Sequence, residues 1–405
     1  MTEAELGNQS ISLCHLFLDT QREHVNEIKK YLYSDDYDKL TIKKFINKIF
    51  VPSFDECKCS SSLSSSEIVD TNNPSLFTHQ IAVNISDLVD YIDVKEENIL
   101  TLLCYLQNAN YIILMPNCYK YCSIKSYKGM SHLKQKSTSN EMLRKIFEQV
   151  KAEKSSTKHE EDGELKFDLI KLCSESNWEY SLVVKQLKAL EWEFKETTTA
   201  NSRGSYVKSG NKAEFHDLSF HIMHKCMGKE DVFYEKIDEM FELIWNRVSK
   251  QQTLGQLNFK SLYKILSENA FNTVDGLIND LEFNKKKLML EKNEVIKSVV
   301  DSYFVENFNF EEFCASFKFD HELNVNPFME DKQKDTLIKN IRKFINLFSS
   351  ELKITGRLIA KVFHGVPSPR CPVEVWSRNR LFWRCNLDFD FDYIIQVATN
   401  ELINK

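Results

Sequence analysis

The chain has 405 residues and a mass of 47.5 kDa, enough for roughly two to four folded units. Its 53 Lys and Arg stand against 59 Asp and Glu, a formal net charge of −6, which excludes a uniformly basic nucleic-acid coat but leaves room for a local basic face. Hydrophobic residues at 42% argue for packed cores, and only 10 glycines argue against loops that cradle phosphates.

The motifs agree with the composition. Neither G-x-x-x-x-G-K-S/T nor G-x-G-x-x-G occurs, and G-x-S-x-G and H-E-x-x-H are absent as well. No ATP site and no hydrolase site is therefore expected in these residues. No run of about 18 apolar residues exists, and the N-terminus lacks a basic, apolar leader. The expectation is an intracellular protein without a membrane span. Eleven cysteines, an odd number, favour reduced thiols and a metal over a disulfide framework.

In chain order, Gln21 to Phe50 predicts two amphipathic helices. In the second, Ile42, Phe45, Ile46 and Ile49 fall at i, i+3, i+4 and i+7 and form one apolar stripe. The tract from Ser60 to Ser66, ending in Thr71-Asn72-Asn73-Pro74, predicts a surface loop or a disordered segment. Ile81–Ile85 predicts a strand, Ser86 or Asp87 a helix cap, and Leu88–Ile92 and Lys95–Leu106 two helices. Tyr111–Met115 and Tyr119–Tyr127 then predict a hairpin around Pro116-Asn117. Lys151–Gly163 reads as a linker. The same outline returns with strand Glu164–Phe167, helices Asp168–Ser174 and Tyr180–Leu190, and a ribbon of Glu191–Lys195 with Gly204–Lys208 across Thr197–Arg203. Strand, two helices and ribbon outline a winged helix, whose second helix and wing commonly meet nucleic acid. From about Lys229 onward the chain reads as almost wholly helical.

The two copies differ in charge. In the later one, Lys185 and Lys188 lie outside the apolar set Leu182, Val183, Leu187 and Leu190, and the wing adds Arg203 and Lys208. These cations are either a solvated helix face or phosphate contacts. The earlier copy is apolar at the matching helix, where Cys104 sits among Leu100, Leu102, Leu103 and Leu106 and reads as core.

Cys57-x-Cys59 offers two thiolates to one Zn²⁺, and tetrahedral closure needs two further N or S ligands from His79, Cys104, Cys118 or Cys122. Two free surface thiols are the other reading. His216, His221, His224 and Cys226 also cluster in sequence. No Cys pair supports them, and a solvent-exposed or core-edge strand accounts for them better.

Lys353 to Arg384 holds seven Lys and Arg (Lys353, Arg357, Lys361, Arg370, Arg378, Arg380 and Arg384) and one acid, Glu374. Trp376, Phe382 and Trp383 are interleaved with them. Cations beside rings suit unpaired nucleic acid, while a small helical core anchored by Phe382 and Trp383 explains the same pattern. Asp388, Asp390 and Asp392 then favour the N-terminus of a last helix.

Val362-Phe363-His364-Gly365, Ser368-Pro369, Pro372, Val375 and Arg380-x-Phe382-Trp383-Arg384 resemble the extreme C-terminus of the type-four RecQ-like DNA helicases, and Ala398-Thr399 and Glu401-Leu402 continue the match. Further back the likeness runs through Glu214-Phe215, Phe220-His221, Phe167-Asp168, Lys171-Leu172, Trp178-Glu179, Trp192, Leu102–Leu106 and His15–Leu18. It implies a zinc-binding, double winged-helix platform behind an ATP-driven 3′-to-5′ unwinding motor, acting in the nucleus in DNA replication and repair. By this resemblance Cys57 and Cys59 match the family's C-x-C zinc pair and His79 its histidine. The family's remaining cysteine has no counterpart at Ser75, Leu76 or Phe77. A substitute such as Cys118 or Cys122, or loss of the metal, is open.

The expected fold is mainly α with small β wings, an α+β chain of tandem winged helices followed by an all-helical C-terminal domain. The expected divisions are 11–127, 128–163, 164–227, 228–350 and 351–405. The expected function is a DNA-binding accessory region of such a helicase, gripping forked or single-stranded DNA through Lys185, Lys188, Arg203, Lys208, Arg357, Lys361, Arg378, Arg380, Phe382, Trp383 and Arg384. Replication or repair proteins are the other expected partners. The alternative is a protein-interaction scaffold without nucleic-acid contact.

Overall fold

A computed structural model describes residues 23–55, 77–154, 164–195, 205–225, 230–270, 283–303 and 331–404. The fold is mainly α-helical, with a four-stranded antiparallel sheet and a separate two-stranded ribbon. It divides into two compact units, one of Tyr37–Asn246 and one of Met1–Asp36 with Arg247–Lys405.

Helix α1 (Glu23–Ser34) belongs to the second unit, and α2 (Lys39–Asp55) opens the first. Asp38 caps α2 by accepting from the Thr41 N–H at 2.9 Å. The stripe Ile42, Phe45, Ile46 and Ile49 is fully buried, as its period requires. Strand β1 (Phe77–Asn84) follows, then α3 (Ile85–Ile92) and α4 (Glu96–Asn108). Asn84, rather than Ser86 or Asp87, caps α3, its Oδ1 accepting from the Asp87 N–H. In α4, Leu102, Leu103 and Leu106 are buried, but Cys104 is exposed because the helix turns that position outward.

The expected hairpin at Pro116-Asn117 is instead one strand, β2 (Ile112–Ser126). Its register against the neighbouring strand slips between Met115 and Cys118. A bulge there takes Pro116, which has no N–H to give, out of the hydrogen-bond ladder without turning the chain.

Helices α5 (Met130–Ser137) and α6 (Glu141–Lys154) fall in the 128–163 division, almost wholly ahead of the expected linker Lys151–Gly163, and Leu143, Ile146 and Phe147 of α6 are buried in the core. Strand β3 (Glu164–Asp168), α7 (Leu169–Ser176), α8 (Tyr180–Ala189) and the antiparallel ribbon β4 (Trp192–Lys195) with β5 (Ser205–Lys208) come in the expected order. Asp168 caps α7 through the Lys171 N–H.

Strand β6 (Asn211–Lys225) organises the sheet, whose order is β1-β6-β2-β3. It pairs with β1 on one side and β2 on the other, so the two repeats share a sheet. The histidine-rich stretch lies on this interior strand, with His216 half-buried and His221 and His224 buried. One face of β2 and β3 packs on α5–α8 through Ile124, Leu165, Phe167, Leu172 and Leu187.

Helix α9 (Glu230–Glu268) contributes to both units, and α10 (Phe283–Tyr303) follows. The core of the second unit gathers α1, α11 (Asp331–Phe348), α12 (Gly356–His364), the single turn α13 (Val373–Trp376) and α14 (Phe391–Ile403). In α11, Leu337, Ile341, Phe344 and Ile345 are buried at i, i+4, i+7 and i+8. Every residue of α12 is buried, so this helix has no solvent face. Thr355 caps it through the Leu358 N–H, and Gly365 ends it at φ +71°, where a Cβ would be strained.

Candidate nucleic-acid interface

Helix α8 and the β4–β5 ribbon carry the cations expected in the first unit. Val183 and Leu187 anchor α8 in the core, which turns Lys185 and Lys188 outward. Leu182, expected in the apolar set, is 54% exposed on the same outward row, one turn before Lys185. Lys188 Nζ lies 5.7 Å from the centre of the Phe215 ring, in cation–π range.

The ribbon has two unlike faces, because side chains alternate along a strand. Glu193 points to one face and forms ion pairs with Lys136 and, at 3.4 Å, with Lys128. These lysines, chiefly Lys136, hold its carboxyl below the ordinary range. The other face carries Trp192 directly opposite Lys208, with Tyr206 two positions along. Trp192 is 49% exposed and Tyr206 is 73% exposed. The base of the ribbon is fixed: Ser209 donates its N–H to the Glu191 carbonyl at 2.8 Å, and its hydroxyl donates to the Leu190 carbonyl. An aromatic pair beside a cation, on a strand pair tied down at its root, is a surface on which flat, polyanionic ligands can stack. Tyr206 escaped the sequence reading, although alternation from Lys208 would have put it on the same face. Arg203 lies outside the described residues.

In the second unit the basic segment divides sharply. Arg378 and Arg380 are exposed, with no acid partner among the described residues. Arg357 and Lys361 are 4% and 2% exposed, since α12 is central, and Arg357 donates to the Asp36 carbonyl. Phe382 is buried against Phe344, ring centres 5.2 Å apart, and Trp383 packs partly on the same core. Arg384, at φ +63°, pairs with Glu27. Of the seven residues expected here, Arg357, Lys361 and Phe382 are interior and build the core, so they offer nothing to a ligand at the surface. Beside Arg378 and Arg380, Val373, Val375 and Leu381 are exposed.

Among the expected metal ligands, Cys57 and Cys59 lie outside the described residues, as does Cys226. His79 stands on β1 directly opposite His224 of β6, ring centres 5.3 Å apart. Burial holds both imidazoles below the ordinary value, His224 at about 4. Cys118 and Cys122 do not join them. They pair with Ser219 and Phe215, five and nine positions from His224 along β6, about 17 and 30 Å away at strand spacing. Burial also pushes both thiols up to about 12. The donor set at His79 and His224 thus fits a nitrogen-binding metal, and the two β2 cysteines do not. Elsewhere, Glu164, Glu214 and His216 converge within 4.8 Å, but Lys125 already bridges the two carboxylates and His216 Nε2 lies 3.0 Å from Ser123 Oγ. With Lys212 and Lys125 donating to it, Glu214 falls to about 2.

No helix among the described residues is long and apolar enough to cross a membrane. No protein-family model matches the sequence. The chain is 25% identical to the ATP-dependent DNA helicase Q4 of Mus musculus over 406 residues, covering 96% of this chain and 31% of that protein. It is equally 25% identical to the Homo sapiens ATP-dependent DNA helicase Q4, and 23% identical to the ATP-dependent DNA helicase Q-like 5 of Arabidopsis thaliana, over 96% and 97% of this chain. The chain spans about a third of the length of these relatives. Over nearly its whole length, then, it resembles part of a RecQ-type DNA helicase of the Q4 kind.

Proposed function

We propose that the chain is a DNA-binding accessory region of a RecQ-like ATP-dependent 3′-to-5′ DNA helicase, placed C-terminal to the motor and acting in the nucleus in replication and repair. In this reading β3 to β5 form a winged helix, with α8 as the contact helix and the β4–β5 ribbon as the wing. The alignment with Q4 helicases along nearly the whole chain supports the family context. The observation that carries the DNA contact is the outward face of Trp192, Tyr206 and Lys208, taken together with the outward Lys185 and Lys188 of α8. Cations hold phosphates while the two rings stack on unpaired bases, which favours a fork or a single strand over closed duplex. An attached motor then draws one strand past a wedge that it need not itself power.

Fluorescence anisotropy with fork, single-stranded and duplex oligonucleotides at several salt concentrations tests this. Binding that is tightest for fork or single strand and weakens steeply with salt is expected. Indifference to all three at low salt would refute the reading. A second reading, a protein-docking scaffold, draws on Val373, Val375 and Leu381, exposed beside Arg378 and Arg380 in the other unit. Exposed apolar side chains accompanied by arginine are ordinary for a protein interface.

A further inference from the structure

We infer that His224 is a metal ligand, its Nε2 joining His79 as the imidazole half of a zinc site in this chain. His224 is 3% exposed and sits on the interior strand β6. Its Nδ1 lies 2.8 Å from the Lys225 carbonyl oxygen. A carbonyl only accepts, so Nδ1 carries the proton and Nε2 is left with a bare lone pair. That Nε2 is buried and has no hydrogen-bond partner among the described residues. An imidazole whose one nitrogen donates to a backbone carbonyl while the other presents its lone pair is the arrangement that metal sites impose on histidine. A buried, unused acceptor otherwise costs stability for no return.

The neighbour supplies the second donor. His79 is the direct cross-strand partner of His224, so both side chains leave the sheet on one face. Their ring centres are 5.3 Å apart and the planes differ by 18°. Two imidazoles on one tetrahedral Zn²⁺, each bound at about 2.0–2.1 Å, hold their ring centres about 5 Å apart. The Phe50 ring meets His224 edge-on at 5.7 Å and closes the apolar side of the pair. The Cys57 and Cys59 thiols, which the sequence puts seven and nine residues beyond Phe50, lie outside the described residues, and the assignment of His224 stands without them.

The purified chain, loaded with Zn²⁺ and dialysed, is expected to retain about one equivalent of metal. X-ray absorption on that sample is expected to show two imidazole nitrogens at about 2.0–2.1 Å. His224→Gln is expected to weaken zinc affinity at least about tenfold in a chelator competition, while His216→Gln leaves it unchanged. Failure of the wild-type chain to retain zinc, or a metal shell with one imidazole or none, overturns the assignment. So does unchanged affinity in His224→Gln. If that variant does not fold, the wild-type absorption spectrum decides alone.

Discussion

Trp192 and Lys208 face each other across the β4–β5 ribbon, and neither is covered by the fold. Trp192→Ala and Tyr206→Ala are each expected to weaken single-strand binding by about 1–3 kcal/mol. Tyr206 is largely exposed and Trp192 is half exposed, so the melting temperature should fall only slightly. A large drop in melting temperature with unaltered binding would assign these residues to folding instead.

The two lysines of α8 give a separate signal. The double variant Lys185→Glu, Lys188→Glu should reduce the slope of log affinity against log salt by about two phosphate contacts. Arg378→Glu with Arg380→Glu, titrated in parallel, shows whether the second unit shares the load. An unchanged slope in the α8 variant removes that helix from the contact.

Phe382 separates structure from recognition. It touches Phe344, Phe348 and Phe363, so Phe382→Ala should cost about 3–5 kcal/mol in urea unfolding. A small cost with lost DNA affinity would restore it to the surface role expected from its sequence context.

Gly356 lies where α12 crosses α14. A Cβ there would meet Thr399 Oγ1 and stand 2.6 Å from the Ile395 carbonyl oxygen. Backbone cannot swing aside as a side chain can, so Gly356→Ala should destabilise the second unit by about 1–3 kcal/mol. Chemical denaturation followed by tryptophan fluorescence reads this, since Trp376 and Trp383 belong to that core.

His364 sets a pH limit. It is buried between Tyr33 and Phe391, and desolvation lowers its pKa to about 4, with Lys29 adding to the effect and Asp390 opposing it. The folded value lies below the unfolded one, so the unfolded chain binds the proton first as pH falls. The contribution of the neutral ring is complete above about pH 6.5 and is lost towards pH 4, at roughly 1.4 kcal/mol per pH unit. Stability measured from pH 7 to 4 should include that slope, and His364→Gln should make the pH dependence shallower by about that amount, leaving the share of the other buried histidines.

Much of this architecture was legible in the residues, and the exceptions have physical causes. The α2 stripe, the β3–α7–α8 order and the ribbon follow from local periodicity, which needs no partner to read. Pro116-Asn117 carried a turn signal, yet a bulge tolerates proline equally well once β6 supplies a neighbour. The place of β6 is set by pairing with strands far away in sequence, which alternation alone does not reveal. Leu182 and Cys104 went to the wrong side because the rotation of a short helix is decided by what it packs against. Arg357 and Lys361 were counted as surface charge, since nothing in their spacing shows that α12 is enclosed on all sides. At the candidate interface the cations were visible and the Trp192–Tyr206 face was not, because it needs the register of two strands.

Because β6 lies between β1 and β2, the sheet cannot be closed early. Ile81 meets Ile222, a partner about 140 residues later, and β2 also waits for β6 along the edge that β3 does not take. During synthesis two strands therefore emerge with bare edges, and they stay open to wrong partners until the last strand leaves the ribosome. Such long-range closure makes for slow folding. A premature stop or frameshift anywhere before Asn211 would leave a polypeptide prone to aggregate and to be cleared by cellular proteases, rather than a shorter working protein.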